Sequence, residues 1–291
     1  MSSKGADQEL EDAAKAGDSA KVSGLLLLGA NPQSRESAAL QWAACNGHAE
    51  CVRVLLPVSD AKAENSRALR LAARNGHVEC VRMLLPVSNA KALNSWALWE
   101  AASNGHVDCV RLLLPASDPK AGESAALRVA AIGGHAECVQ MLLPVSDPKI
   151  ENYHALRFAA RHGHVECVRL LLPVSDAKAN QSQALRWAAR YGHVECVRAL
   201  MPASNPLIEI DGLLAGAMAA GHAQVAAALI EQEPRLIAEA FLPKCLADAI
   251  ENNHPDMAGL LSSIIEHGEL SSLAPDRPSL SWRSGSRHAR L

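Results

Sequence analysis

Gly-His pairs recur along this chain at a fixed interval, and the interval constrains the fold more than any other feature. Gly47-His48, Gly76-His77, Gly105-His106, Gly134-His135, Gly163-His164, Gly192-His193 and Gly221-His222 each fall 29 residues after the pair before. Between His48 and His193 the copies differ at few positions, so DAKAENSRALRLAARNGHVECVRMLLPVS, residues 60–88, stands for the others. A repeat of this length is one supersecondary unit that cannot bury its apolar face alone. Neighbours must stack, and the chain becomes an array, where a globule would have one cleft.

Within that unit Ser66 precedes Ala68, Leu69, Ala72 and Ala73, spaced to share one helical face. Ser66 is read as the N-cap of this helix, its hydroxyl accepting from the first free amides. Ser37, Ser95, Ser124 and Ser182 recur at its position and Tyr153 replaces it once. Gly76 ends the helix, because glycine takes the left-handed conformation at low cost. His77 opens a second helix, VECVRMLL, which turns Val78, Val81, Leu84 and Leu85 toward the first, and Pro86 stops it. Glu79 and Arg82, three apart on the outer face, form an exposed pair of about 0.2–0.5 kcal/mol. Residues 86–94 read as a loop with no alternating pattern that would demand a strand.

Two antiparallel helices joined at Gly-His and followed by a projecting loop resemble the ankyrin repeat, and ALRLAARNGHVECVRMLL at 68–85 carries the match. LEDAAKAGDSAKVSGLLLLGANP at 10–32 is similar to an ankyrin N-terminal capping repeat and keeps the finger sequence Gly29-Ala30-Asn31. The family's period is about 33, so the residues missing here come from the β-hairpin finger. The resemblance implies an all-α, ankyrin-like helical solenoid of about eight helix-turn-helix repeats with short or absent fingers. Residues 1–30 are expected to cap the array, 31–204 to form six near-identical repeats, 205–267 to form degenerate and capping repeats, and 268–291, rich in Ser and Arg, to be a disordered tail.

Positions that vary between such similar copies carry the information about partners. On the first helix they include Ala38, Arg67, Trp96, Ala125, His154 and Gln183 at its entry, and Trp42, Leu71, Glu100, Val129, Phe158 and Trp187 before the Ala pair. Trp, Tyr and Arg are enriched at interface hot spots, and the first helices collect them. The candidate partner-binding residues are Trp42, Arg67, Arg70, Arg74, Trp96, Trp99, Arg157, Phe158, Arg161, Arg186, Trp187, Arg190 and Tyr191. In ankyrin-like stacks this face lines the concave groove, so the resemblance implies a non-enzymatic scaffold that holds a protein or peptide there. The bland reading packs the aromatics between adjacent first helices and leaves the arginines solvated.

Other chemistries fare worse. His48 and Cys51 with their copies imitate half a zinc site, but layers a helix diameter apart do not bring two pairs together. The same separation, about 8–10 Å, exceeds what a disulfide spans. Six of the eight cysteines are thus one position copied, read as reduced and buried. Sixfold repetition also argues against a Cys-His nucleophile, no phosphate loop follows a strand, and no cofactor or metal is expected. With 28 basic against 31 acidic residues and a net charge of -3, nothing draws the whole chain to nucleic acid. An arginine ladder tracking nucleic acid is the alternative function, a resident cytosolic inhibitor or scaffold another. No segment is long and apolar enough to span a bilayer, and a monomer is expected. Repeats carrying LLPVSD resemble those of bacterial ankyrin-repeat proteins, some of them delivered into host cells. The expected place is therefore the cytoplasm, or a host cell entered without a cleaved signal peptide.

Overall fold

The computed structural model describes residues 3–204, 210–232 and 242–267, and among these the secondary structure is helix and turn without a strand. The expected tail, 268–291, lies outside them. Two compact units divide the chain, Met1–Ala155 and Leu156–Leu291.

In unit 1 the first helices are α1 (Ser3–Ala16), α3 (Ser34–Cys45), α5 (Ala63–Arg74), α7 (Ala92–Ser103) and α9 (Ala121–Gly133). Their second helices are α2 (Ser19–Leu27), α4 (Ala49–Leu55), α6 (Val78–Leu84), α8 (Val107–Leu113) and α10 (Ala136–Leu142). First helices pack on first helices and second on second, from α1 through α9 and from α2 through α10. The unit boundary falls within α11 (Ile150–Arg161). Unit 2 continues with α12 (Val165–Leu171), α13 (Ala179–Arg190), α14 (Val194–Leu200), α15 (Ile210–Ala219), α16 (Ala223–Gln232), α17 (Leu242–Glu251) and α18 (Pro255–His267). There α13 packs on α15 and α15 on α17, with α12, α14, α16 and α18 in sequence behind them. The described helices thus make nine pairs in the all-α repeat architecture that the sequence predicts.

The core is one short stripe copied. In α5 and α6 it consists of Ala68, Leu69, Ala72, Ala73, Cys80, Val81 and Leu84, all buried, whereas Val78 and Leu85 are only half-buried. Small Ala and Cys side chains let helices approach closely, and each buried Leu is worth about 2–5 kcal/mol against truncation.

Gly-His does more than turn the chain. Gly76 adopts φ +74, the left-handed C-terminal conformation expected. A Cβ there would also lie 2.6 Å from Nδ1 of His106 in the next repeat. The His106 ring, seated against that glycine, donates from Nε2 to the Arg74 carbonyl oxygen at 2.9 Å. His48, His77 and His135 do the same to Lys15, Cys45 and Ser103 in unit 1, and His193 and His222 to Arg161 and Arg190 in unit 2. A carbonyl only accepts, so Nε2 carries a proton. The pair is therefore a lock between successive repeats, which is why both residues recur together.

One local expectation changes. Ser66 does not cap its own helix; its Oγ accepts from the backbone N–H of Asn89, at 2.8 Å, in the next inter-repeat loop. Ser37, Ser95 and Ser124 accept likewise from Asp60, Asp118 and Asp147. The reason lies in the backbone before each helix. Glu64, Asn65 and Ser66 have φ of 47, 57 and 60, one left-handed turn, and the equivalent triplets recur at 35–37, 93–95, 122–124, 151–153 and 180–182. Such residues cost about 1–2 kcal/mol each outside glycine. The buried serine at the end of the turn ties it to the following loop. Pro86 follows the helix end as expected, since α6 closes at Leu84 with Leu85 as its C-cap, and in later copies the proline lies inside a 3-10 turn such as Leu114–Ala116. These compact turns occupy the place of the finger.

Candidate functional site

Because the Ala and Leu stripe of each first helix turns inward, the variable positions come to the other side. In unit 1 the structure leaves Trp42, Arg67, Arg74 and Trp96 exposed and half-buries Arg70 and Trp99. Trp96 and Trp99, one turn apart, bring their rings to 5.0 Å at a tilt of 43°. Trp96 donates from Nε1 to Glu100 at 2.9 Å, and the other oxygen of Glu100 lies 3.9 Å from Arg74 of the preceding repeat. Glu64 pairs with Arg67 through its carboxylate and accepts from Arg70 through its backbone oxygen. Outside the expected set, Arg35 meets the buried Glu11 at 2.9 Å, Arg128 meets Glu151 at 2.8 Å, and Lys15 lies over the Trp42 ring at 4.8 Å. Each of these arginines thus has an acidic neighbour.

Unit 2 arranges the same residue types differently. Phe158 and Trp187 pack edge to face at 5.1 Å, and the Arg161 guanidinium lies over Phe158, Trp187 and Tyr191 at 5.6, 5.4 and 5.4 Å. These distances fall within the range of cation–π attraction, about 6 Å. Arg157 donates to Gln183 and lies over Trp187 at 5.7 Å. Arg186, Arg190 and Tyr191 are exposed. From Leu156 to the end of α11, and throughout α13, the sequence has no Asp or Glu. In this unit the aromatics do pack between adjacent first helices, as the bland reading expects for them, but Tyr191 keeps 43% exposure.

Beyond α13 the face opens. The positions of Gln183, Trp187, Arg190 and Tyr191 are taken in α15 by Gly212, Gly216, Ala219 and Ala220, and an open cleft of about 790 Å³ lies between the two helices. Residue-type reasoning passed over it, although the loss of side chains after Gly192 was readable.

The cysteines of the second helices lie away from this face. Burial first, and the adjoining carboxylate second, push the Cys80, Cys109 and Cys138 thiols up to about 11, so they are protonated and inert at neutral pH. Burial, then Arg161, His164 and His193, lower His162. Among the described residues no group of three His, Cys, Asp or Glu could hold a metal ion, and no helix is long and apolar enough to cross a membrane.

A family model described as ankyrin repeats matches in three copies, over residues 10–95, 87–152 and 127–211. Among solved structures, the ankyrin repeat domain of human ASB11 is similar at 23% identity, over 60% of this chain and 95% of that one, with a TM-score of 0.49. No curated protein matches the chain.

Proposed function

Since the chain belongs to the ankyrin-repeat family, whose repeats generally mediate protein–protein interaction, we propose that it is a non-catalytic scaffold that takes a protein or peptide on the exposed faces of its first helices. One observation carries this reading. Trp42 at 38% and Trp96 at 40% exposure, bulky side chains at positions that differ from copy to copy, stand toward solvent, while the core behind them is nearly invariant. Exposed aromatics with a polar handle give large contact area at small entropic cost. The alternative, a nucleic-acid track along the arginines, loses support in unit 1, where Arg67, Arg74 and Arg128 each face a carboxylate.

The test is capture with the full chain from extracts of its own cell and of a host cell, followed by affinity measurement with the recovered protein. Trp96→Ala with Trp99→Ala should weaken binding by about 2–4 kcal/mol, roughly 30- to 1,000-fold. An unchanged Kd in the folded double variant removes the unit 1 aromatics from the site. Which extract supplies the partner separates a delivered bacterial protein from a resident scaffold or inhibitor.

A further inference from the structure

We propose that the groove between α14 and α16, on the second-helix side of unit 2, receives the chain's own arginine-bearing segment 277–291, whose guanidinium groups meet Glu195, Glu231 and Asp256. This surface lies away from the first-helix face, so the proposal goes beyond the reading given above and stands or falls apart from it.

The groove opens where the copied outer pattern of the second helices breaks off. In α12 Arg169 meets Glu166 at 2.6 Å, a pair that recurs as Arg53 with Glu50 and Arg82 with Glu79. The same positions hold Glu195 and Arg198 in α14, then Gln224 and Ala227 in α16, where Glu231 takes the place of Pro202. One long side chain is lost and one carboxylate gained. Two adjoining depressions result, of about 490 and 240 Å³, which share Gly192, Val194 and Gln224. Arg198 stands 3.9 Å from Glu195 and 3.7 Å from Glu231, too far to donate a hydrogen bond to either, and its Nε is buried without a hydrogen-bond partner. Both carboxylates therefore keep their oxygens for another donor. Asp256, exposed in the first turn of α18, lines the other end of the groove. Three carboxylates against one guanidinium leave it negative.

Charge selects the occupant. From Asn205 to His267 the sequence has nine Asp and Glu against Arg235 and Lys244, whereas from Arg277 to Leu291 it has four arginines and neither Asp nor Glu. A nucleic acid strand or an acidic peptide is repelled by the carboxylates that attract these arginines. Position agrees with charge. The His254 ring meets the Ala219 carbonyl oxygen at 3.3 Å, so the turns leading into α16 and α18 adjoin, and these two packed helices run side by side in the same direction. Glu231, in the last turn of α16, thus lies at the edge where α18 ends at His267. Packed helices stand about 8–10 Å apart, and the nine residues from Gly268 to Asp276 span up to about 30 Å. That brings Arg277 to Glu231 and the later arginines along α16, whose ten residues cover about 15 Å. Tethering holds them at an effective concentration on the order of 1 mM, and guanidinium groups pair with carboxylates through two parallel hydrogen bonds.

Limited trypsin digestion of the full chain, with release of the segment followed by mass spectrometry, tests the contact. Cleavage after Arg283 and Arg287 should be at least about tenfold faster in Glu195→Gln with Glu231→Gln than in the parent, because cleavage tracks the undocked fraction. Raising salt from about 0.1 to 1 M, which shortens the screening length from about 10 to 3 Å, should accelerate the parent and leave the variant unchanged. A second measurement holds should the glutamines disturb the helices. A labelled peptide of residues 277–291 should bind the full chain carrying Arg277→Gln, Arg283→Gln, Arg287→Gln and Arg290→Gln at least about tenfold more tightly than the parent, whose groove is filled. Equal cleavage in parent and glutamine variant, or no binding of the peptide to the arginine-substituted chain, overturns the proposal. A peptide that binds both chains alike and depends on Glu231 overturns it in favour of a basic partner from outside. Protection that fades on dilution overturns it in favour of the segment of a second copy.

Discussion

Up to Ser204, units 1 and 2 share a core copied almost residue for residue, yet the arginines of their first-helix faces stand among different neighbours. In unit 1 Glu11, Glu64, Glu100 and Glu151 stand beside Arg35, Arg67, Arg74 and Arg128. In unit 2 Phe158, Trp187 and Tyr191 surround Arg161, and Arg157 donates to Gln183. A stacked repeat separates two requirements that a globule must meet together. The inward stripe and the Gly-His lock hold the array, so the outward positions are free to diverge. Unit 1 sets carboxylates beside its arginines, whereas unit 2 sets aromatic rings around Arg161.

The largest test of this comparison asks whether the scaffold is equivalent in both units. Gly76 and Gly192 sit at φ +74 and +81, and a Cβ on them would lie 2.6 and 2.8 Å from the rings of His106 and His222. Gly76→Ala and Gly192→Ala should each cost about 2–4 kcal/mol, from left-handed strain and ring displacement together. Urea denaturation followed by hydrogen exchange on each unit reads both. Similar losses support a shared lock, and adding His106→Ala to Gly76→Ala should cost less than the separate changes sum to, because the displaced ring is gone. A loss confined to one unit would break the comparison at its base.

A smaller effect should separate the faces. Arg161→Ala removes a cation from three rings in a half-buried setting and should destabilise unit 2 by about 1–2 kcal/mol. Arg74→Ala breaks one exposed contact, at 3.9 Å to Glu100, and should cost unit 1 only a few tenths, about 0.2–0.5 kcal/mol. Equal losses in the same denaturation experiment would mean that the aromatic surround contributes nothing beyond a surface ion pair.

How these features stood in the sequence follows from their range. The stripe of Leu69, Ala72 and Ala73 and the turn at Gly76 are local, set by helical spacing and by one glycine, and both are legible. Ser66 misleads because its environment matches a local cap, while its hydrogen bond goes to Asn89 in the next loop. The left-handed triplets are hidden for a related reason. Arg35, Glu36 and Ser37 have no intrinsic preference for positive φ, and Gly122 is the one glycine among the equivalent positions. The approach of Arg74 to Glu100 depends on which side chains the stack brings face to face. Spacing along one helix does not contain that, so residue type found the candidate arginines but not their difference.

The smallest expected effect concerns pH, and it too should fall unequally. Burial, then Arg161, His164 and His193, hold His162 below its ordinary value of about 6.5. The unfolded chain therefore takes up the proton first as pH falls. Stability from this residue is complete above about 6.5 and declines below it, levelling off once the folded form is also protonated. In unit 1 Glu151 is lowered too, in a lower pH range: burial raises it, but Arg128, by charge and hydrogen bond, and His154 outweigh that and lower it. Its contribution persists above the ordinary carboxylate value, about 4.3, and is lost as pH falls through the lowered one. Between pH 7 and pH 5, about the range in which an unperturbed histidine titrates, His162→Gln should match the parent at the upper end and exceed it slightly at the lower, the effect being kept small by solvent around the exposed ring. Glu151→Gln should show no comparable change there. Parallel melts of the two variants measure this, and a parent curve that His162→Gln does not alter would show that the cations around His162 are screened by solvent and that the face of unit 2 is more open than its geometry indicates.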